Sequence, residues 1–372
     1  MIGIPCLFGG GTEIQTLNLV EALVAAGHFP VVACYFEYDP RMVRRYEDAG
    51  AKVYLLNDSE ESKRRAKGIW KTAKFLYKGL KEIVRKERPD VAHVQYMAPG
   101  ALAVLILRYL GIKKIIATSH TDANIYGKNG LRIIRFLTQN ILSGFQTITL
   151  KAENNYFGNS SLFDGELKKH FTIYNSLPSH IEPRPSAKVF NDTVTIGVVS
   201  RLEKIKGMDL VIPAIFKALS SLKEKGKVRI LIVGDGSLSG LMKEQAKEYG
   251  LEGITEFAGR QPQDKLQSYY DQIDILLMPS RSEGFGLTAI EGMARGCVPV
   301  VADTGGLPEV VTPGSGLLHN PEDMDDMAKK ISYLIIRPEI IKNLSKEAIL
   351  KSIKFSKKNY YFSISKLYSL YL

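Results

Sequence analysis

Short apolar runs alternate along the chain with longer stretches in which apolar positions recur at helical spacing, the pattern of parallel βαβ units. Phe29 to Phe36, Lys52 to Leu56, Val91 to Gln95, Lys114 to Thr118, Thr147 to Leu150 and Thr172 to Tyr174 read as strands of one α/β domain. Pro178, Pro183 and Pro185, among Ser179, Ser186, Asn191 and Asp192, then break the pattern, because proline removes a backbone donor and fixes φ. A second series follows: Thr193 to Ser200, Val228 to Gly234, Ile254 to Phe257, Ile273 to Met278 and Val298 to Val301. The expected architecture is two doubly wound, Rossmann-like domains, residues 1–177 and 193–354, joined by a linker at 178–192 and facing across a cleft. Residues 355–372 form a helical pattern rich in Tyr and Lys that has the option of crossing back onto the first domain.

Composition supports two folded domains: 372 residues, 45% of them hydrophobic, suffice for two cores. Cys6, Cys34 and Cys297 lie in or beside apolar runs without metal-like spacing, which favours reduced structural thiols and a cytoplasmic protein over a disulfide scaffold. No run reaches the roughly 18 apolar residues of a membrane span, and Met1 to Leu7 is too short and uncharged for a signal peptide. The chain is expected to be soluble or to lie on a membrane surface rather than through it.

The formal charge of +11 is unevenly distributed. Between Lys63 and Arg88, Ala66, Ile69, Trp70, Ala73, Leu76, Tyr77, Leu80, Ile83 and Val84 recur on one helical face, while Lys67, Lys71, Lys74, Lys78, Lys81 and Arg85 form the opposite stripe. Such a ridge is either a solvated face or a dock for anionic lipid headgroups or an acidic acceptor. Nucleic acid is not expected, since no aromatic-interleaved basic motif or helix-turn-helix pattern accompanies it.

Candidate chemistry concentrates at the ends of the strand patterns, where open α/β sheets bind ligands. In Ser282-Glu283-Gly284-Phe285-Gly286-Leu287-Thr288-Ala289-Ile290-Glu291, two glutamates bracket a Gly-Phe-Gly turn that opens a helix. The amides of Gly286, Leu287 and Thr288 then form an anion site, and Glu283 and Glu291 could grip hydroxyls of one extended ligand. Alone, the stretch fits a capped helix with a solvated glutamate equally well. Arg201 and Lys206, leaving the strand at Val199, are spaced to meet on one diphosphate or to stand as surface charges. Gly9-Gly10-Gly11-Thr12-Glu13 opens a helix but lacks the lysine of a P-loop and does not fit G-x-G-x-x-G. His120 follows the strand pattern at Thr118, Gly234-Asp235-Gly236 makes a tight turn, and Gly259-Arg260 could wall a nucleobase. Asp323, Asp325 and Asp326 read as a helix cap rather than a metal loop, so no metal and no cofactor is expected.

In this order, those motifs, with Asp90-Val91-Ala92-His93-Val94-Gln95, Asn175 and Gly305-Gly306-Leu307-Pro308-Glu309, resemble the retaining GT-B glycosyltransferases of the GT4-like family. The resemblance spans nearly the whole chain and is most specific in the second half. It implies an N-terminal acceptor domain and a C-terminal domain for a UDP-, GDP- or ADP-sugar. Arg201 and Lys206 would neutralise the diphosphate, Glu283 would hold the sugar, and Glu291 the ribose. Gly284, Phe285, Gly286, Leu287 and Thr288 would form the phosphate turn, with Gly234 and Arg260 also in the donor site. His120 would contact the sugar or leaving phosphate, near Gly10 and Gly11. The family often carries His-x-His where this chain has His93-Val94-Gln95, so His93 is expected in a supporting place. The implied activity is metal-independent hexosyl transfer to a saccharide or glycolipid in cell-surface polysaccharide or glycolipid synthesis; the expected place is the cytoplasm, with the basic ridge offering a peripheral place on the inner face of the membrane. A nucleotide-sugar epimerase on the same fold, or a non-catalytic nucleotide-sugar-binding protein, are the alternatives.

Overall fold

The structure, a computed structural model, describes residues 1–57, 68–95, 100–222 and 227–372. The chain divides into two compact units, residues 1–176 with 357–372, and residues 177–356.

In the first unit the strands are Ile2–Ile4 (β1), Val31–Cys34 (β2), Lys52–Leu55 (β3), Val91–Gln95 (β4), Lys114–Ser119 (β5), Gly144–Thr147 (β6) and His170–Thr172 (β7). They form one parallel sheet in the order β3-β2-β1-β4-β5-β6-β7. The helices are Gly11–Ala25 (α1), Pro40–Asp48 (α2), Ile69–Glu87 (α3), Gly100–Tyr109 (α4), Gly127–Asn140 (α5) and Leu150–Phe157 (α6), with Lys357–Ser369 returning at the end of the chain. Strand side chains alternate between two cores: Val32 and Cys34 pack with α1, α2 and the returning helix, whereas Val31 and Ala33 pack with α3 to α6. Burial on both faces explains why these strands read as continuous apolar runs rather than as alternating ones.

The second unit repeats the order with one strand fewer. Val194–Val199 (β8), Val228–Val233 (β9), Thr255–Gly259 (β10), Ile275–Met278 (β11), Val298–Ala302 (β12) and Leu317–His319 (β13) form the parallel sheet β10-β9-β8-β11-β12-β13. Its helices are Met208–Ser220 (α7), Ser239–Glu248 (α8), Gln263–Gln272 (α9), Leu287–Ala294 (α10), Leu307–Val310 (α11), Met324–Ile335 (α12) and Pro338–Ser352 (α13), which makes the returning helix of the first unit α14. The winding direction reverses between β1 and β4 in one sheet and between β8 and β11 in the other, and such switch points open a crevice at the carboxyl ends of the strands.

Several expectations shift. The run expected at Thr147 to Leu150 is β6 ending at Thr147, because Thr149 caps α6 by accepting the Ala152 amide at 3.2 Å. The strand expected from Thr172 ends there instead. Residues 178–192 hold no helix or strand, and they group with the second unit. Lys188 fixes them there: its buried ammonium pairs with Asp274 at 3.1 Å, and Asp274 in turn accepts the Thr195 amide. On α3, Leu76, Leu80 and Ile83 are buried while Lys71, Lys74, Lys78, Lys81 and Arg85 are exposed. Ile69 and Trp70, expected on the packing face, are instead 64% and 86% exposed, since they start the helix beyond the reach of the core. Lys67 and the basic residues just before it lie outside the described residues.

Candidate active site

In the second unit the loop leaving β8 is zipped to the loop leaving β9. The Leu202 amide donates to Asp235 O at 3.0 Å, and Glu203 accepts the amide and hydroxyl of Ser237 at 3.0 and 2.6 Å. Gly234 lies so close to Ser200 O that a side chain there would collide with it. A 3₁₀ turn, Lys204–Lys206, follows and ends at Gly207, which is left-handed (φ 70°) and would bring a Cβ within 2.0 Å of Pro279 O. Only glycine lets this loop lie against the end of β11. The consequence is an ion pair at the switch point: Lys206 Nζ donates to Glu283 Oε2 at 2.7 Å, with side chains 21% and 15% exposed. Ser280 Oγ lies 3.5 Å from the same oxygen. Arg201 is exposed, and its guanidinium has no ion-pair partner among the described residues.

The Glu283 loop rests on a second glycine turn. A Cβ on Gly305 (φ 54°) would stand 1.7 Å from Glu283 O, which the Gly306 amide approaches at 3.3 Å. Phe285 is expected among the donor-binding residues, but its ring is buried edge-to-face against Phe355 at 5.6 Å. That ring anchors the turn. Gly286 (φ 100°) is the N-cap of α10 and provides no side-chain cap, so the first-turn amides at Leu287 and Thr288 lack the partner that a Ser or Asp would supply. Gly284 is half-buried beside them. On the next turn Glu291 is buried and accepts the Tyr270 hydroxyl at 2.6 Å. Burial pushes its carboxyl up to about 7, while the Tyr270 bond pulls the other way. Arg260 is exposed just after β10, whose last residue, Gly259, accepts the Gly234 amide at 2.8 Å. Asp323 caps α12 by accepting the Asp326 amide at 2.9 Å.

Sequence reasoning missed two members of this cluster, Arg281 and Tyr270. Arg281 makes a fork to Asp209 at 2.7 and 3.0 Å. Its place two residues before Glu283 was a visible signal; the Tyr270 contact depends on how α9 packs on α10 and left none.

In the first unit Gly10 caps α1 and Gly11 opens it, with Glu13 in the first turn, its carboxyl raised by burial. A side chain on Gly10 would meet Glu13 Oε2 at 2.5 Å. His120 sits at the end of β5 with Nε2 2.7 Å from Gln95 Oε1, and burial lowers its imidazole to about 4. It is therefore neutral at physiological pH, and Nε2 carries the proton donated to Gln95. His93 lies deeper, between Thr118 Oγ1 at 2.6 Å and Tyr368 of α14 at 2.8 Å, and burial, with the nearby His120, lowers it to about 3. The structure gathers Lys206, Glu283 and the α10 turn in one unit, and His120 with Gln95 in the other.

Residues 181–351 match the family described as Glycosyl transferases group 1, and residues 9–151 match Glycosyltransferase Family 4. The chain is 26% identical over 366 residues to an uncharacterized glycosyltransferase of Methanocaldococcus jannaschii, a match covering 94% of this chain and 98% of that protein. It is also 26% identical to the phosphatidylinositol N-acetylglucosaminyltransferase gpi3 subunit of Schizosaccharomyces pombe, over 88% of this chain and 70% of that one. Among solved structures, Anabaena HepE in complex with UDP and glucose superposes with a TM-score of 0.77 at 17% identity, covering 99% of this chain and 98% of that one. Two matched families that together span most of the chain, and a shared pair of doubly wound sheets, make it a GT4-like group 1 glycosyltransferase of the GT-B fold.

Proposed function

We propose that the chain is a retaining hexosyltransferase that moves a sugar from a UDP-, GDP- or ADP-sugar to a saccharide or lipid-linked acceptor in cell-surface polysaccharide or glycolipid synthesis. The observation that carries this reading is the half-buried Lys206–Glu283 pair at the second switch point. Departure of the nucleoside diphosphate leaves negative charge on its oxygens and positive charge at the anomeric carbon. Lys206, Arg201 and the first amides of α10 take the diphosphate; Glu283 takes hydroxyls of the sugar, sharing Lys206 with the phosphate once the donor is bound. Glu291 takes the ribose hydroxyls, and Gly234 and Arg260 line the nucleoside. These fixed cations and amides supply the charge that a metal would otherwise bring, and Asp323 is already engaged in capping α12. His120, with Gly10 and Gly11, contacts the sugar or leaving phosphate as a neutral hydrogen-bonding group. Retention rests on the family resemblance.

The S. pombe relative's name supports a lipid-linked acceptor, and α3 supports peripheral binding to the inner face of a membrane. Its exposed Lys71, Lys74, Lys78, Lys81 and Arg85 ridge begins at exposed Trp70, a residue suited to the headgroup layer. No helix among the described residues is long and apolar enough to cross a membrane.

The test incubates purified protein with UDP-, GDP- and ADP-sugars, with and without lipid extract, and reads binding, product and anomeric configuration. Transfer with retention supports the proposal; no binding of any donor overturns it, and isomerisation of the donor alone reassigns the chain as an epimerase. In the same preparation, reversing Lys71, Lys74 and Lys78 to Glu is expected to release the protein from anionic vesicles without changing donor binding. Unchanged association makes the ridge a solvated face.

A further inference from the structure

We propose that Arg281 is a positioning residue for donor binding: its guanidinium holds both ends of the Lys206 turn and thereby sets Lys206 opposite Glu283. The inference rests on the donor reading of that pair and adds a residue that the sequence analysis did not single out.

The geometry is that of a clamp. On the chain before Lys206, Arg281 Nη1 donates to Lys204 O, and the Arg281 amide donates to Ile205 O at 2.9 Å. On the chain after Lys206, the same guanidinium forks onto Asp209, Nη1 to Oδ1 at 2.7 Å and Nη2 to Oδ2 at 3.0 Å. Its third nitrogen, Nε, lies 3.3 Å from Glu322. Arg281 and Asp209 are 18% and 24% exposed, so solvent competes weakly for these bonds. The Arg281 carbonyl accepts the Thr304 hydroxyl at 3.4 Å, beside the Gly305 turn that supports Glu283. Arg281, two residues from Glu283, thus ties the Lys206 turn through its side chain and amide, and the Gly305 turn through its carbonyl, and the relative placement of these loops fixes a 2.7 Å contact between two charges. The zip to the β9 loop holds the start of this loop, at Leu202 and Glu203, and Arg281 holds it on either side of Lys206, at Lys204, Ile205 and Asp209. A lysine at 281 would keep the charge and lose the planar fork that reaches a carboxylate and a carbonyl together.

The experiment measures nucleoside diphosphate affinity by calorimetry, using whichever of UDP, GDP and ADP binds the wild-type chain most tightly. The variants are Arg281→Met, Arg281→Lys, Asp209→Asn and Lys206→Ala, with Lys206→Ala/Arg281→Met. Lys206→Ala and Arg281→Met are each expected to weaken binding roughly tenfold or more, the loss of one charge-assisted bond. Arg281→Lys is expected to rescue little. In the Lys206→Ala background Arg281→Met is expected to add less than about twofold, because the turn then has no charge left to position. A merely structural arginine would lower affinity by the same factor in both backgrounds, and that result overturns the proposal. If Arg281→Met does not fold, Asp209→Asn in the two backgrounds gives the same reading, with the fork weakened and the shape kept. Loss of affinity in Lys206→Ala with wild-type affinity in Arg281→Met sinks the clamp alone; wild-type affinity in Lys206→Ala sinks the donor reading and the clamp with it.

Discussion

Both units wind their sheets with the same reversal beside the first strand, yet they equip their strand ends with opposite chemistry. In the second unit the loops after β8 and β11 present a lysine and a glutamate, each partly in contact with water. In the first unit the middle of β4 and the end of β5 hold two histidines made neutral by burial, tied to Gln95, Thr118 and Tyr368. The difference follows from solvation. A charge survives at a strand end only where water or a close counter-charge remains, whereas full burial leaves hydrogen bonding as the chemistry available. In the proposed function the second unit supplies fixed charge to the diphosphate, and the first supplies neutral hydrogen-bonding groups.

The most severe way to break this contrast is to remove the charge from the second unit. Lys206→Ala is expected to lower turnover by roughly 10²–10³, the scale seen when one donor to a developing anion is lost. Part of that loss comes from Glu283, whose carboxylate would face the diphosphate without its counter-ion. The double variant Lys206→Ala/Glu283→Gln is therefore expected to lose less than the product of the two single losses, measured by steady-state transfer. Strictly multiplicative losses would mean that the two charges act independently and that their 2.7 Å contact has no part in catalysis.

This charged site was more legible in the sequence than its counterpart, for local reasons. Lys206-Gly207 and Glu283-Gly284-Phe285-Gly286 are contiguous motifs whose glycines mark where backbone must approach backbone, as Gly207 does at Pro279. The parallel strands were legible as apolar runs where they are four residues or longer, except β6, whose Gly-Phe-Gln-Thr is not an apolar run; Ile2–Ile4 and Leu317–His319 are too short to show a period. What the sequence hid was long-range pairing. Arg281 meets Asp209 from 72 residues away, and Tyr270 reaches Glu291 only because α9 packs on α10. The ring contact of Phe285 was hidden for the same reason: its partner, Phe355, lies 70 residues further along the chain.

Acid should separate the two units by a few kcal/mol. His93 and His120 are lowered in the folded chain to about 3 and about 4 from an ordinary 6.5, so as pH falls below 6.5 the unfolded state takes up protons first. Their contribution is present above 6.5 and is lost as pH falls through those lowered values. Glu291 is raised from 4.5 to about 7, so its contribution is present below 4.5 and is lost as pH rises through 7. Between pH 4.5 and 6.5 His93 and His120 are expected to weaken the first unit on acidification while Glu291 strengthens the second, by an amount on the order of 1.4 kcal/mol per pH unit for each group, with Glu13 opposing the first trend and His319 the second. Urea unfolding read by pulse proteolysis, which reports each unit through its own fragments, checks this. His93→Gln should flatten the first trend and Glu291→Gln the second; parallel trends in the two units would break the contrast.

The smallest expected effect is the sharpest on function, because it asks which unit titrates near neutrality. With a carboxyl near 7, about a tenth of the Glu291 side chains are ionised at pH 6 and about nine-tenths at pH 8. If the carboxylate is the form that accepts ribose hydroxyls, affinity for a UDP-sugar, whose diphosphate does not titrate in this range, should rise by up to roughly tenfold between those values and then level off. The Tyr270 hydroxyl favours the ionised form through its 2.6 Å bond, so Tyr270→Phe should move the midpoint upward, and Glu291→Gln should abolish the rise. His120→Gln should leave the profile untouched, since that histidine is already neutral throughout. A midpoint that moves with His120 rather than with Tyr270 would place the titrating group in the first unit and reverse the division of chemistry between the two sheets.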